Sequence, residues 1–167
     1  MYQIGQYIMY RNIGICKVEA IGRLSFSANK EKDYYTLCPL NANNSKVYVP
    51  VDRDLEMRKI MTKEEAGEYL EMLREMKTKP VSSSKPGALT AHYQEILAPH
   101  DMKAFLTLFK ELRQKEKMVR ENGKHLGQLD MNYKNEVERL LSDEFAYAFG
   151  ETPKEAKERL CEIADAE

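Results

Sequence analysis

The sequence predicts an α+β chain, a small β module followed by helices, and three observations predict it. Short runs rich in β-branched and aromatic residues are confined to the first third of the chain. Beyond about residue 60 the apolar residues recur at spacings of three and four, the pattern of one helix face. Turn and capping residues stand where those elements should begin and end.

The first two runs, residues 6–10 and 14–21, flank Arg11-Asn12-Ile13-Gly14 and read as a β-hairpin with a four-residue connection. A polar stretch, residues 25–33, leads to a third strand at Tyr34-Tyr35-Thr36-Leu37-Cys38. Asn41-Ala42-Asn43-Asn44-Ser45 is a turn cluster, since Asn tolerates the left-handed conformation and bonds back to its own backbone. Lys46-Val47-Tyr48-Val49 then alternates in strand fashion and Pro50 closes it. Four or five strands in so few residues fit a Tudor-like small antiparallel β-barrel over residues 1–55. A sheet of this size has an exposed edge. Lys46 and Pro50 bracket the last strand as edge guards would, or the edge accepts a partner strand by β-augmentation.

Residues 56–167 predict a five-helix all-α domain. Thr62-Lys63-Glu64-Glu65 is a capping box that starts a helix near Lys63. Residues 79–87, with two prolines, a glycine and three serines, form a loop inside this domain. A short helix follows at about residues 88–98, then a long one with Met102, Phe105, Leu106, Phe109 and Leu112 inward. Lys103, Lys110, Arg113, Lys115 and Lys117 take its outer positions, and Asn122-Gly123 stops it. A fourth helix runs to Phe149 with Leu129, Tyr133, Val137, Leu140, Leu141, Phe145 and Ala148 inward, and Gly150 caps it. Thr152-Pro153-Lys154-Glu155 joins a cap, a first-turn proline and a capping-box Glu at the start of the fifth.

Charge and composition exclude several classes of function. The net charge is −1 over 167 residues, yet residues 77–134 hold eleven Lys/Arg against six Asp/Glu, or +5. Residues 135–167 hold four against ten, or −6. The middle segment could approach a polyanion, or simply present a solvated helix face. Cys16, Cys38 and Cys161 form no CxxC or Cys/His pattern, which points to reduced thiols in a cytoplasmic protein rather than a disulfide framework or a metal site. No apolar run approaches the roughly 18 residues of a membrane span. His92, His100 and His125 sit in no HExxH arrangement, and GxGxxG, Walker and GxSxG motifs are missing. The expectation is a non-enzyme without cofactor.

Four pieces in order carry a family resemblance: Ile4-Gly5…Tyr7-Ile8-Met9-Tyr10, Ile13-Gly14-Ile15-Cys16-Lys17-Val18, Tyr34-Tyr35-Thr36-Leu37 and Val47-Tyr48-Val49-Pro50. They resemble the N-terminal module of the CarD/CdnL bacterial transcription regulators, which the transcription-repair coupling factor shares. Gln6 stands where the family has an aspartate. Leu89-Thr90-Ala91-His92-Tyr93, Lys110-Glu111-Leu112 and Leu141-Ser142-Asp143-Glu144-Phe145-Ala146-Tyr147-Ala148 resemble the family's C-terminal domain.

The resemblance implies a partner and a site. The N-terminal module would dock on the RNA polymerase β subunit through Arg23, Leu24, Lys46, Val47, Tyr48 and Val49, with Tyr48 where known members carry an arginine. The helical domain would meet promoter DNA, through the minor groove and without sequence specificity, at the upstream edge of the melted bubble. Leu89 matches the family's tryptophan wedge, and Leu is among the side chains that minor-groove proteins insert. Ala91 and His92 replace the arginine pair after the wedge, and Met131 replaces a lysine. Lys85, His92, Lys124 and Lys134 are the candidate DNA contacts, or solvated surface residues. The implied protein is a cytoplasmic, nucleoid-associated monomer that modulates open-complex stability. The alternative is a polymerase-bound, protein-only adaptor whose helical domain recruits another protein.

Overall fold

The computed structural model describes residues 1–11, 13–42, 44–80 and 85–166. Parts of three expected features lie outside them: Asn12 of the hairpin turn, Asn43 of the turn cluster, and residues 81–84 of the loop. The chain divides into two compact units, Met1–Ile60 and Met61–Glu167.

The first unit is a five-stranded antiparallel sheet of the Tudor-like kind, made of β1 (Tyr7–Tyr10), β2 (Gly14–Arg23), β3 (Asp33–Pro39), β4 (Val47–Pro50) and β5 (Met57–Lys59). The strand order is β4-β3-β2-β1-β5, so the chain passes from one edge of the sheet to the other between β4 and β5. A 3₁₀ segment, Val51–Glu56, makes that passage. At about 2 Å rise per residue it spans roughly 14 Å, whereas four flat inter-strand steps need roughly 19 Å. The sheet must therefore curl. Because β5 pairs with β1, the β unit extends past the residue-55 border expected from the sequence.

The β1–β2 connection has three residues rather than four, since Gly14 already pairs with Tyr10 in the ladder. Gly14 has φ 104°, a conformation that side-chain-bearing residues rarely adopt. Arg11, at φ 42°, is pinned by its backbone N–H to the Glu56 carbonyl (3.2 Å) and by its guanidinium to the Glu56 carboxylate. Strand alternation then puts Ile8, Tyr10, Cys16, Val18, Tyr35, Leu37 and Val49 into one core, which Met57 completes.

Cys16 has no exposed surface, and burial pushes its thiol up to about 11 from an ordinary 9.0. A raised thiol pKa means that the folded state keeps a proton the unfolded chain gives up. Stability is therefore whole below about pH 9 and falls between pH 9 and 11, by up to roughly 3 kcal/mol. Urea melts of the wild type should show this alkaline slope, and Cys16→Ala should flatten it. An unchanged slope in the variant would assign the loss to other groups.

The second unit packs α1 (Lys63–Glu75), α2 (Pro86–Leu97), α3 (Met102–Glu121), α4 (Gln128–Phe149) and α5 (Pro153–Asp165) around a second core. Both expected capping boxes are formed: Thr62 with Glu65, and Thr152 with Glu155. Gly150, at φ 68°, ends α4 as the left-handed cap that its position predicts. The inward residues expected on α3 are all buried, and Leu108 joins them.

Lys110 departs from the expected outer face. It is 5% exposed, and its ammonium donates to the carbonyls of Leu73 (2.9 Å) and Met76 (2.6 Å). Helix C-termini leave carbonyls unpaired and carry partial negative charge, so a cation there satisfies both needs. Burial holds the Lys110 pKa below the usual lysine range. Among the described residues, no helix is long and apolar enough to cross a membrane.

Candidate docking surface and the helical unit

The surface of interest on the β unit is the sheet face opposite the core. The register aligns Ala20 with Thr36 and Thr36 with Tyr48, so these three side chains form one row across β2, β3 and β4. Two small residues beside a large one leave a depression next to the Tyr48 ring. Leu24, Phe26 and Ile4 wall it. Phe26 is 67% exposed and Ile4 65%, so the rim is apolar and uncovered. The Phe26 and Tyr48 rings meet edge-on, with centroids 5.0 Å apart.

The β2 ladder shifts register between Val18 and Ala20, and Glu19 is the residue left without a partner on β3. Such a bulge bends and twists its strand. Here it lies at the edge of the depression, where the Glu19 carboxylate meets the Lys46 ammonium at 3.3 Å. Of the rim charges Lys17, Glu19 and Lys46, the last two therefore offset each other.

The six residues expected to contact polymerase divide by facing. Leu24, Lys46 and Tyr48 come together on the outer face. Val49 is 3% exposed and belongs to the core, and Val47 packs against that core. Arg23 is exposed at the end of β2, opposite Asp33. The sequence reading missed Phe26. An aromatic between two serines in a polar connection was the available signal, because large apolar residues in such loops are usually buried or used.

The residues expected to face DNA are dispersed in role. Leu89 is 6% exposed and forms part of the helical core with Tyr93 and Leu97, which follow it on α2 at i+4 and i+8. In this arrangement it offers no wedge. Lys134 is drawn into an internal network, with Glu116 at 3.1 Å and Glu138 at 3.4 Å. Arg113 joins the same network through Glu138 and forms a two-pronged bond to Asp165 (2.8 and 2.6 Å). The Asp165 bond is the main reason that the Arg113 pKa lies above its usual range. His92 is half-buried against Glu111 at 3.3 Å. Lys85, at the start of α2, and Lys124, between α3 and α4, are exposed. Of the eleven basic residues in 77–134, Lys110, Arg113, Lys115, Arg120 and Lys134 are engaged within the unit. Part of the +5 of that segment is therefore spent on its own fold, on Glu138 and Asp165 from beyond it.

Among the described residues, no three His, Cys, Asp or Glu side chains gather in a metal-holding group. What the β unit presents is an edge strand, β4, beside a depression with an apolar rim. These features define a small all-β interaction module. Residues 2–61 match the family model of the CarD-like/TRCF RID domain, which spans the β unit. That domain is an RNA polymerase β-interacting domain, a protein-interaction module rather than a catalytic one. A search of curated proteins returns no match.

Proposed function

We propose that this protein is a non-enzymatic transcription regulator of the CarD/CdnL kind that docks on the RNA polymerase β subunit through its β unit. The observation that carries the reading is the RID match over residues 2–61, on a sheet whose β4 edge adjoins an exposed apolar face. The helical unit then works near the upstream edge of the promoter bubble. Tethering supplies a high local concentration, so weak intrinsic DNA affinity suffices. Contacts made preferentially with melted DNA would shift the closed-to-open equilibrium about tenfold for each 1.4 kcal/mol or so of difference. In this reading Lys85, Lys124 and His92 make such contacts.

The protein-only adaptor is the second reading. The burial of Leu89 and the internal pairing of Lys134 favour it. Both readings share the docking step and separate on DNA. The full chain should co-purify with core polymerase, and Tyr48→Asp should abolish this. Retention by Tyr48→Asp would move the contact elsewhere on the molecule. In the DNA-facing reading, the Lys85→Ala/Lys124→Ala pair shortens the lifetime of polymerase–promoter complexes and weakens the salt dependence. An unchanged lifetime favours the adaptor.

A further inference from the structure

We propose that Phe26 and Tyr48 form an aromatic clamp for an apolar side chain on an extended segment of the polymerase β subunit laid along β4, so that docking is driven by apolar burial rather than charge. The proposal rests on the docking reading above and names the chemistry of its contact.

Three features of the surface carry it. The first is the depression itself, floored by Ala20 and Thr36 and bounded by the two rings. Successive side chains of a strand added to β4 would alternate between the faces of the extended sheet. Every second one would lie over the outer face and reach the depression beside Tyr48. The second is preorganisation. The turn that bears Phe26 is held by the Ser27 N–H to the Leu24 carbonyl (3.3 Å), by the Ser27 hydroxyl to the Tyr34 oxygen (3.1 Å), and by the Asn29 N–H to the Ser27 hydroxyl (3.2 Å). An exposed ring held this way loses little freedom on binding. The third is the charge pattern. Glu19 and Lys46 pair with each other at 3.3 Å, and the Lys17 ammonium lies over the Tyr7 ring at 5.9 Å. That leaves no cluster of like charge at the rim to steer an oppositely charged partner, and aromatic anchors in central pockets are where binding energy concentrates.

The experiment measures binding of the full chain to purified core polymerase at two ionic strengths, for wild type, Phe26→Ser and Phe26→Leu. Thermal melts confirm that each variant is folded, which the 67% exposure of Phe26 leads one to expect. Wild-type affinity should change by less than about threefold over a tenfold range of KCl. Phe26→Ser should weaken binding at least about tenfold and Phe26→Leu much less. If polymerase binds but Phe26→Ser matches wild type, or affinity collapses with salt, the clamp is overturned and the docking reading stands. If wild type does not bind polymerase at all, the docking reading falls and the clamp falls with it.

Discussion

Replacing Val49 with aspartate should unfold the β unit, whereas replacing its neighbour Tyr48 with aspartate should leave the fold intact and abolish docking. The two residues are adjacent on β4 and face opposite ways, Val49 at 3% exposure and Tyr48 at 39%. A carboxylate at position 49 would sit among Ile8, Tyr35 and Leu37 with no cation in that core to meet it. Burying an unpaired charge costs well over about 4 kcal/mol unless the group takes up a proton or the structure opens. A unit of 60 residues has on the order of 3–9 kcal/mol to lose, so the substitution removes most or all of what holds the fold. The measurement is an NMR or circular-dichroism signature of strand content, read beside polymerase co-purification. Loss of docking in Tyr48→Asp accompanied by loss of strand signal would sink the distinction, because both sites would then be structural.

This contrast also shows what could be read from the sequence. Alternation along Val47-Tyr48-Val49 marks Val49 as inward and Tyr48 as outward, yet a family resemblance assigns the whole strand as contact. The same tension recurs at Leu89. Its spacing to Tyr93 and Leu97 is a core stripe by periodicity alone, and the wedge role came from resemblance. Local chemistry was the most legible layer, as Thr62/Glu65, Thr152/Glu155 and Gly150 show, because caps and left-handed residues act within a few residues of themselves. Tertiary chemistry was not. Nothing local to Lys110 says that its ammonium will reach the end of a helix 34 residues earlier in the chain. Likewise the +5 of residues 77–134 said nothing of where the partner carboxylates lie, and Glu116, Asp130, Glu138 and Asp165 are supplied by three different helices. Phe26 escaped notice because its use depends on Tyr48, which β3 separates from it in sequence and the sheet returns to it in space.

Asp130→Ala should be the most damaging single change in the helical unit, and its effect should spread to α2. Asp130 is 4% exposed on α4, accepts a hydrogen bond from the Tyr93 hydroxyl of α2, and pairs with the Lys115 ammonium of α3 at 2.7 Å. One carboxylate thus ties three helices. Its removal strands the Lys115 side chain, itself only 13% exposed, and leaves a buried hydroxyl without its acceptor. Breaking a buried pair in this way costs about 3–5 kcal/mol. Tyr93→Phe removes one hydrogen bond and leaves the Asp130–Lys115 pair whole, so it should cost less, about 1.5–3 kcal/mol. The alkaline behaviour gives an independent check. Burial first, and then the bond to Asp130, holds the Tyr93 pKa well above the tyrosine range. An acid whose folded pKa is raised contributes stability that is whole below its unfolded value, here about 10, and lost as pH climbs past it. The wild type should therefore lose stability above about pH 10, and Tyr93→Phe should lose less over the same range. Leu89 lies on α2 one turn before Tyr93, so loosening this tie is also the most direct way to learn whether that leucine does anything outside the core. If Asp130→Ala frees α2 and lengthens promoter-complex lifetime, Leu89 acts on DNA from an undocked helix. If it melts the unit and shortens that lifetime, Leu89 is a core residue and the DNA contact needs the folded unit; if it melts the unit without any change at the promoter, the adaptor reading is favoured.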